Sequence, residues 1–183
     1  MKKGIKAAAA GVIVLCAAAV FIAGYIRVNR AYPPAEVENV PVGETAVLRG
    51  IEISPQNFEL LTAEQINEAA PGYLETQSVR GEDIRLLLVA VHLKNTSQEE
   101  KRADVVSFSA QGRAWRNGLN LDLFYHFNED PNTTLEPGEE KTLILPFEVL
   151  RMHFWERDWQ QIDEWPFEVV INLYPTLQKL TME

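Results

Sequence analysis

Cysteine is nearly absent from this 183-residue chain: Cys16 is its one example. No intramolecular disulfide can form, and no cysteine-based metal site can be built. Histidine is almost as scarce. His92, His126 and His153 stand apart, and none belongs to an HExxH pair that would set two ligands on one helix face. No GxSxG elbow, phosphate-cradling glycine loop or Cys–His pairing occurs. Ser107 and Ser109 flank Phe108 in a strand-like pattern, a poor setting for an activated nucleophile. These absences remove the usual hydrolytic signatures, so no catalytic residue, cofactor or metal ligand is expected. The 26 acids make carboxylate pairs inevitable, but the sequence singles out none of them for glycosidic chemistry. Asn128, Glu129, Asp130 and Asn132 offer oxygen ligands without the glycine-centred spacing of a calcium loop, and read as a solvated turn.

Acid is missing from residues 1–30, which hold five of the 17 Lys and Arg. The remainder therefore carries 12 bases against 26 acids, a balance of −14. So acidic a domain is expected to repel nucleic acid and anionic lipid head groups. Residues 7–26 form an uncharged run of twenty, long enough as a helix to cross a bilayer. Basic residues flank both ends, and Tyr25 stands where an interfacial aromatic would. Three lysines and the terminal amine outweigh Arg27 and Arg30, which places residues 1–6 in the cytoplasm, 7–26 in the membrane and the C-terminal domain outside. A cleaved signal peptide is the competing reading, although no good small-x-small site follows Ile26. Leu15 before Cys16 and apolar chain after it argue against a lipoprotein.

Residues 27–43, with Pro33, Pro34 and Pro41, read as a linker, and 44–175 as one domain of short strands, with 176–183 as a tail. Thr45–Ser54 is expected to be a strand. Thr62 and Gln65 make a capping box for a two-turn helix, with Leu61 and Ile66 as its staple. Ile84–Lys94 is the strongest strand: Leu87, Val89, Val91 and Leu93 share one face, and Ile84, Leu86, Leu88 and Ala90 the other, as in a central strand covered on both sides. Val105–Ala110 reads as another strand, Asn117-Gly118 as a hairpin turn, and Leu119–His126 as a half-buried strand. Leu143, Leu145, Phe147 and Val149 alternate with Thr142, Ile144, Pro146 and Glu148, and Pro146 marks an edge or bulge. Phe167–Tyr174 closes the series. Met152, Trp155, Trp159 and Ile162 follow helical spacing and predict a short helix that closes one end.

The runs LLLVAVHLKNTS (86–97), VVSFSAQGRAW (105–115) and TLEPGEEKTLILPFEV (134–149) resemble the telokin-like, immunoglobulin-like extracytoplasmic domains of Gram-positive bacteria, a group largely of unknown function. The resemblance implies an all-β, immunoglobulin-like antiparallel sandwich with short helical insertions behind one transmembrane helix. It carries over no catalytic residue. Aromatics are the best candidates for contact: Trp155, Trp159, His153, Phe124 and Tyr125 could anchor a partner, though a helix docked on a sandwich also needs such side chains for its core. The expected function is a noncatalytic, membrane-tethered module for an envelope protein, peptide or glycan. A structural or assembly subunit of a membrane complex is the alternative, and an envelope hydrolase a third.

Overall fold

The computed structural model describes residues 2–182; Met1 and Glu183, the extremes of the expected cytoplasmic segment and tail, lie outside the described residues. The chain divides into two units, Met1–Ala35 and Glu36–Glu183. In the first, α1 (Lys2–Ala31) is one continuous helix. Its stretch Gly11–Ala31, with a mean hydropathy of 2.2, is long and apolar enough to cross a membrane or to act as a signal sequence. Residues 12–15 and 20–22 carry large, exposed apolar side chains.

In the second unit, β1 (Glu36–Pro41), β2 (Ala46–Leu48) and β3 (Ile51–Leu61) lead through α2 (Ala63–Ala69) to the long β4 (Ile84–Asn95). Next come β5 (Lys101–Arg102), β6 (Ser109–Gly112), β7 (Trp115–Gly118) and α3 (Leu121–Phe127). The order ends with β8 (Thr134–Leu135), β9 (Glu140–Leu150), the one-turn α4 (Glu156–Trp159), β10 (Glu168–Asn172) and β11 (Thr176–Thr181). Two sheets form a β-sandwich, one ordered β1-β11-β10-β6-β7 and the other β2-β3-β4-β9, with a small β5-β8 pair beside them. The first sheet is mixed, because β1 runs parallel to β11.

β4 shows why this sequence needs two layers on its sheet. Leu87, Val89, Val91 and Leu93 are buried in the main core between the sheets, together with Leu143, Leu145, Phe147 and Val149 of β9. Ile84 and Leu86 point the other way, into a second cluster with Leu61, Ile66 and Leu123. Burying each such side chain is worth about 1.5–3 kcal/mol, so α2 and α3 must cover the outer face at the start of β4. The expected capping box is present: Gln65 N donates to Thr62 Oγ1, and Thr62 N donates to Gln65 Oε1. β9 pairs only with β4, so Pro146 sits in an edge strand where its missing N–H is tolerated.

Several expectations need correcting. Within 27–43, residues 36–41 form β1, and within 176–183, residues 176–181 form β11; both belong to the five-stranded sheet. Only residues 32–35 separate α1 from β1. Thr45–Ser54 is not one strand but a hairpin, whose turn is Arg49-Gly50 between the paired Leu48 and Ile51. Val105–Ser107 is a 3-10 turn, and the strand starts at Ser109. The hairpin turn falls at 113–114 rather than Asn117-Gly118, since Gly112 pairs with Trp115 and Ser109 with Gly118. Leu119–His126 is mostly helix: Asn120 Oδ1 caps Leu123 N at 3.0 Å, and Asp122 lies in the first turn. The apolar alternation there hid an N-cap.

Candidate functional site

The tryptophan-bearing segment is not one helix. It is a 3-10 turn (Arg151–His153), α4 and a second 3-10 turn (Ile162–Glu164). This breaks the stripe: Trp159 and Ile162 are buried, whereas Met152 and Trp155 are 77% and 78% exposed. Phe154 is the hub of the buried part, with ring centroids 5.8 Å from Trp115, 5.9 Å from Trp159 and 4.8 Å from Trp165. Arg85 lies over Trp159 while bonding Asp163 at 3.1 Å, and Arg113 lies over Trp165. Gly112 lets the ring approach closely here: a Cβ would stand 3.1 Å from Trp165, tighter than an ordinary contact. Of the sequence candidates, Trp159 and Phe124 belong to the core, while Trp155, His153 and Tyr125 are exposed. Phe124 and Tyr125 lie on α3, outside the tryptophan segment.

The opposite end of the four-stranded sheet carries a different surface. The Glu36–Glu183 unit contains twelve Lys and Arg. Nine of them reach a carboxylate. Among the described residues, the three left without an ion pair are Arg49, Arg102 and Arg116, and all three line one cleft of about 330 Å³. This convergence is the opposite of what an acidic surface of scattered bases would give. The cleft lies between the sheets, over the buried Ile51, Ile53, Phe108 and Val170, with Leu173 and Tyr174 exposed at its rim. Arg116 is oriented from below, its Nε donating to the hydroxyl of buried Ser109 at 2.7 Å.

Arg49 is held by backbone geometry. It has φ +54° and Gly50 has φ +87°, the pair of left-handed residues that a tight hairpin turn of this twist requires. Asparagine or glycine is the favoured first residue of such a turn, and arginine is not. Arg49→Gly should therefore stabilise the domain by about 0.5–1 kcal/mol, measured by urea unfolding of the full chain in neutral detergent. A loss of stability would show that the Arg49 side chain holds the fold together instead.

A second concavity, lined by Tyr73, Asn120, Asp122, His126 and Glu148, is tied up internally. Tyr73 Oη donates to Glu148 Oε1 and accepts from Asn120 Nδ2 at 3.0 Å. Burial first, and then the bond to Glu148, push the Tyr73 phenol well above its ordinary range, so it stays a neutral donor. His126 contacts the Ala69 carbonyl at 3.0 Å. In the loop with oxygen side chains, Asn128 turns inward, bonding the Phe124 carbonyl and both backbone groups of Ile144. Asp130 is claimed by Lys141 at 2.5 Å, which holds its carboxyl below the usual range.

Sequence reading missed the arginine cleft, since 49, 102 and 116 lie far apart along the chain and only the fold brings them together. Residues 44–178 match the model of a domain of unknown function (DUF5028). Among solved structures, the chain is similar to a secreted protein from Mycobacterium tuberculosis, at 13% identity and a TM-score of 0.50, over 80% of this chain and 98% of that one. An uncharacterised β-sandwich protein from Clostridium difficile is 13% identical, with a TM-score of 0.49 over 81% and 96% of the two chains. A conserved hypothetical protein from Bacillus anthracis is 13% identical, with a TM-score of 0.49 over 79% and 95%. At such identities a likeness concerns fold alone. No curated protein matches the chain.

Proposed function

Because the chain belongs to the DUF5028 family, a domain of unknown function, we propose its role from the geometry: a noncatalytic binding module, tethered to the membrane by α1, that receives an anionic envelope component in the arginine cleft. The observation that carries this reading is the convergence of the three unpaired arginines on one cleft in a domain of −14. An acidic domain that pairs nine cations and leaves three facing one cavity is suited to an anionic partner. The uncleaved anchor, the outward-facing domain and the immunoglobulin-like character of the sandwich belong to the same proposal. The apolar stretch Gly11–Ala31 and the stacked sheets support it.

One experiment on cells expressing the full chain tests it. A photo-crosslinker at Leu173, on the cleft rim, should capture an envelope component that the same group at Glu75 does not. The product should disappear in the R49Q/R102Q/R116Q variant. Protease added outside should remove the captured complex and leave α1 in the membrane fraction. No Leu173-specific product, or a product indifferent to the arginines, would sink the binding role. A domain protected from external protease would sink the outward topology.

A second reading, an ancillary subunit of a membrane complex, is favoured by Trp155 and Met152, large apolar side chains that the domain leaves in solvent.

A further inference from the structure

The chemistry of the cleft narrows what it takes, granting the binding role proposed above. Its charged groups are Arg49, Arg102, Arg116 and Asp104, three positive charges against one, a surplus of two. The three guanidiniums come from three separate elements: the β2–β3 turn, β5 and β7. A carboxylate presents two oxygens and one negative charge, and a single arginine fork satisfies it. A phosphate monoester presents three acceptor oxygens and close to two negative charges. Arginines approaching from three elements match that group and overmatch a carboxylate. Ser107 also lines the cleft, but its hydroxyl already donates to the Asp104 carbonyl at 2.8 Å, so the guanidiniums supply the donors.

We infer that the cleft binds a phosphate monoester group, gripped by Arg49, Arg102 and Arg116. The apolar side chains under and around it, with Leu173 and Tyr174 at the rim, receive the uncharged part of the molecule. The monoester headgroup of phosphatidic acid and a soluble phosphate ester share this chemistry.

The test uses the full chain in uncharged detergent, with inorganic phosphate and glycerol phosphate as probes. Chloride and acetate at matched ionic strength serve as controls. Phosphate should raise the melting temperature where chloride and acetate do not. R102Q and R116Q should each weaken the apparent affinity at least tenfold. R80Q, whose guanidinium pairs with exposed Glu82 away from the cleft, should leave it unchanged. Because the three arginines are exposed and unpaired, their replacement strips no partner from a buried charge. Binding should also tighten as pH rises through about 6, where a monoester gains its second charge while arginine stays cationic. The other titratable groups lining the cleft are Asp104 and Tyr174.

Nanodiscs separate the two sources. With phosphatidic acid added to phosphatidylcholine, a lipid ligand should fill the cleft and abolish the response to glycerol phosphate; a soluble ligand should leave that response intact. Either result supports the phosphate assignment. An equal response to acetate, or a triple arginine variant that responds like the parent, overturns it. Crosslinking at Leu173 without any phosphate response would remove this assignment alone, whereas failure of both would remove the binding role as well.

Discussion

Asn95→Ala should lower the stability of the domain by about 3 kcal/mol, seen as a fall of roughly 6–12 °C in melting temperature. Asn95 is fully buried at the end of β4, where a polar side chain is tolerated only with its hydrogen bonds complete. They are complete. Nδ2 donates to the Glu99 and Leu135 carbonyls at 2.8 and 2.9 Å. Oδ1 accepts from Ser97 N at 2.9 Å and from the Ser97 hydroxyl at 2.8 Å. Its backbone binds the Pro-Gly turn, N to the Glu139 carbonyl and O to Gly138 N, each at 2.9 Å. One side chain thus joins the end of the central strand to β8 and to the loop after it. Alanine removes all four bonds beside a cavity; the Ser97 hydroxyl and the Glu99 carbonyl keep each other at 2.8 Å, while Ser97 N and the Leu135 carbonyl each lose their bond to this side chain. Thr96→Ala, which removes one exposed bond to the Gly50 carbonyl, is the control and should cost under about 1 kcal/mol. Equal losses for the two would show that Asn95 does not organise this end of the sandwich.

The same residue shows what could be read from sequence. Asn95 follows an apolar run on two faces, and that run by itself specifies a central strand covered on both sides. Pro146 and the Thr62–Gln65 box were equally legible, because each imposes its structure through local chemistry: a missing donor in one case, a reciprocal cap in the other. Where two local signals compete, the weaker-looking one can win. Residues 119–126 alternate like a strand, yet Asn120 caps a helix that buries Leu123 and Phe124. Asn117-Gly118 suits a turn, yet Asn117 Nδ2 bonds the Glu148 carbonyl at 2.9 Å and holds the pair within β7. β1 and β11 were illegible for a different reason. Each is short and polar on one side, and their parallel pairing joins residues about 140 positions apart, which no local pattern encodes. The cleft is the extreme case: a base becomes distinctive there only when the fold shows that it forms no ion pair. Arg49-Gly50 was the one local trace, a tight-turn dipeptide inside a run read as a single strand.

Trp159→Ala should cost about 3–5 kcal/mol, while Trp155→Ala should change stability by no more than about 0.5 kcal/mol. The two residues stand four apart, and their sequence spacing assigns them the same face. The chain turns non-helical around them and gives them opposite fates. Trp159 is 8% exposed, packed against Phe154 with the rings tilted at 45° and roofed by Arg85. Its removal opens a void where the end of the sandwich closes and strips Arg85 of its aromatic floor. Trp155 is 78% exposed and stands at the N-cap of α4 without making a capping bond. Serine or aspartate would serve the helix better there, so Trp155→Asp should raise stability by about 0.5 kcal/mol. An aromatic that serves neither core nor cap is free to serve as the contact that the ancillary-subunit proposal calls for. The pair also guards against a misreading. If both Trp159→Ala and Trp155→Ala weaken partner capture, only the second speaks for an interface, because the first disturbs the fold. Unfolding of each variant in urea, followed by fluorescence of the remaining tryptophans, decides it. Equal losses at the two positions would mean that Trp155 is packed after all, and the ancillary-subunit reading would lose its one supporting observation.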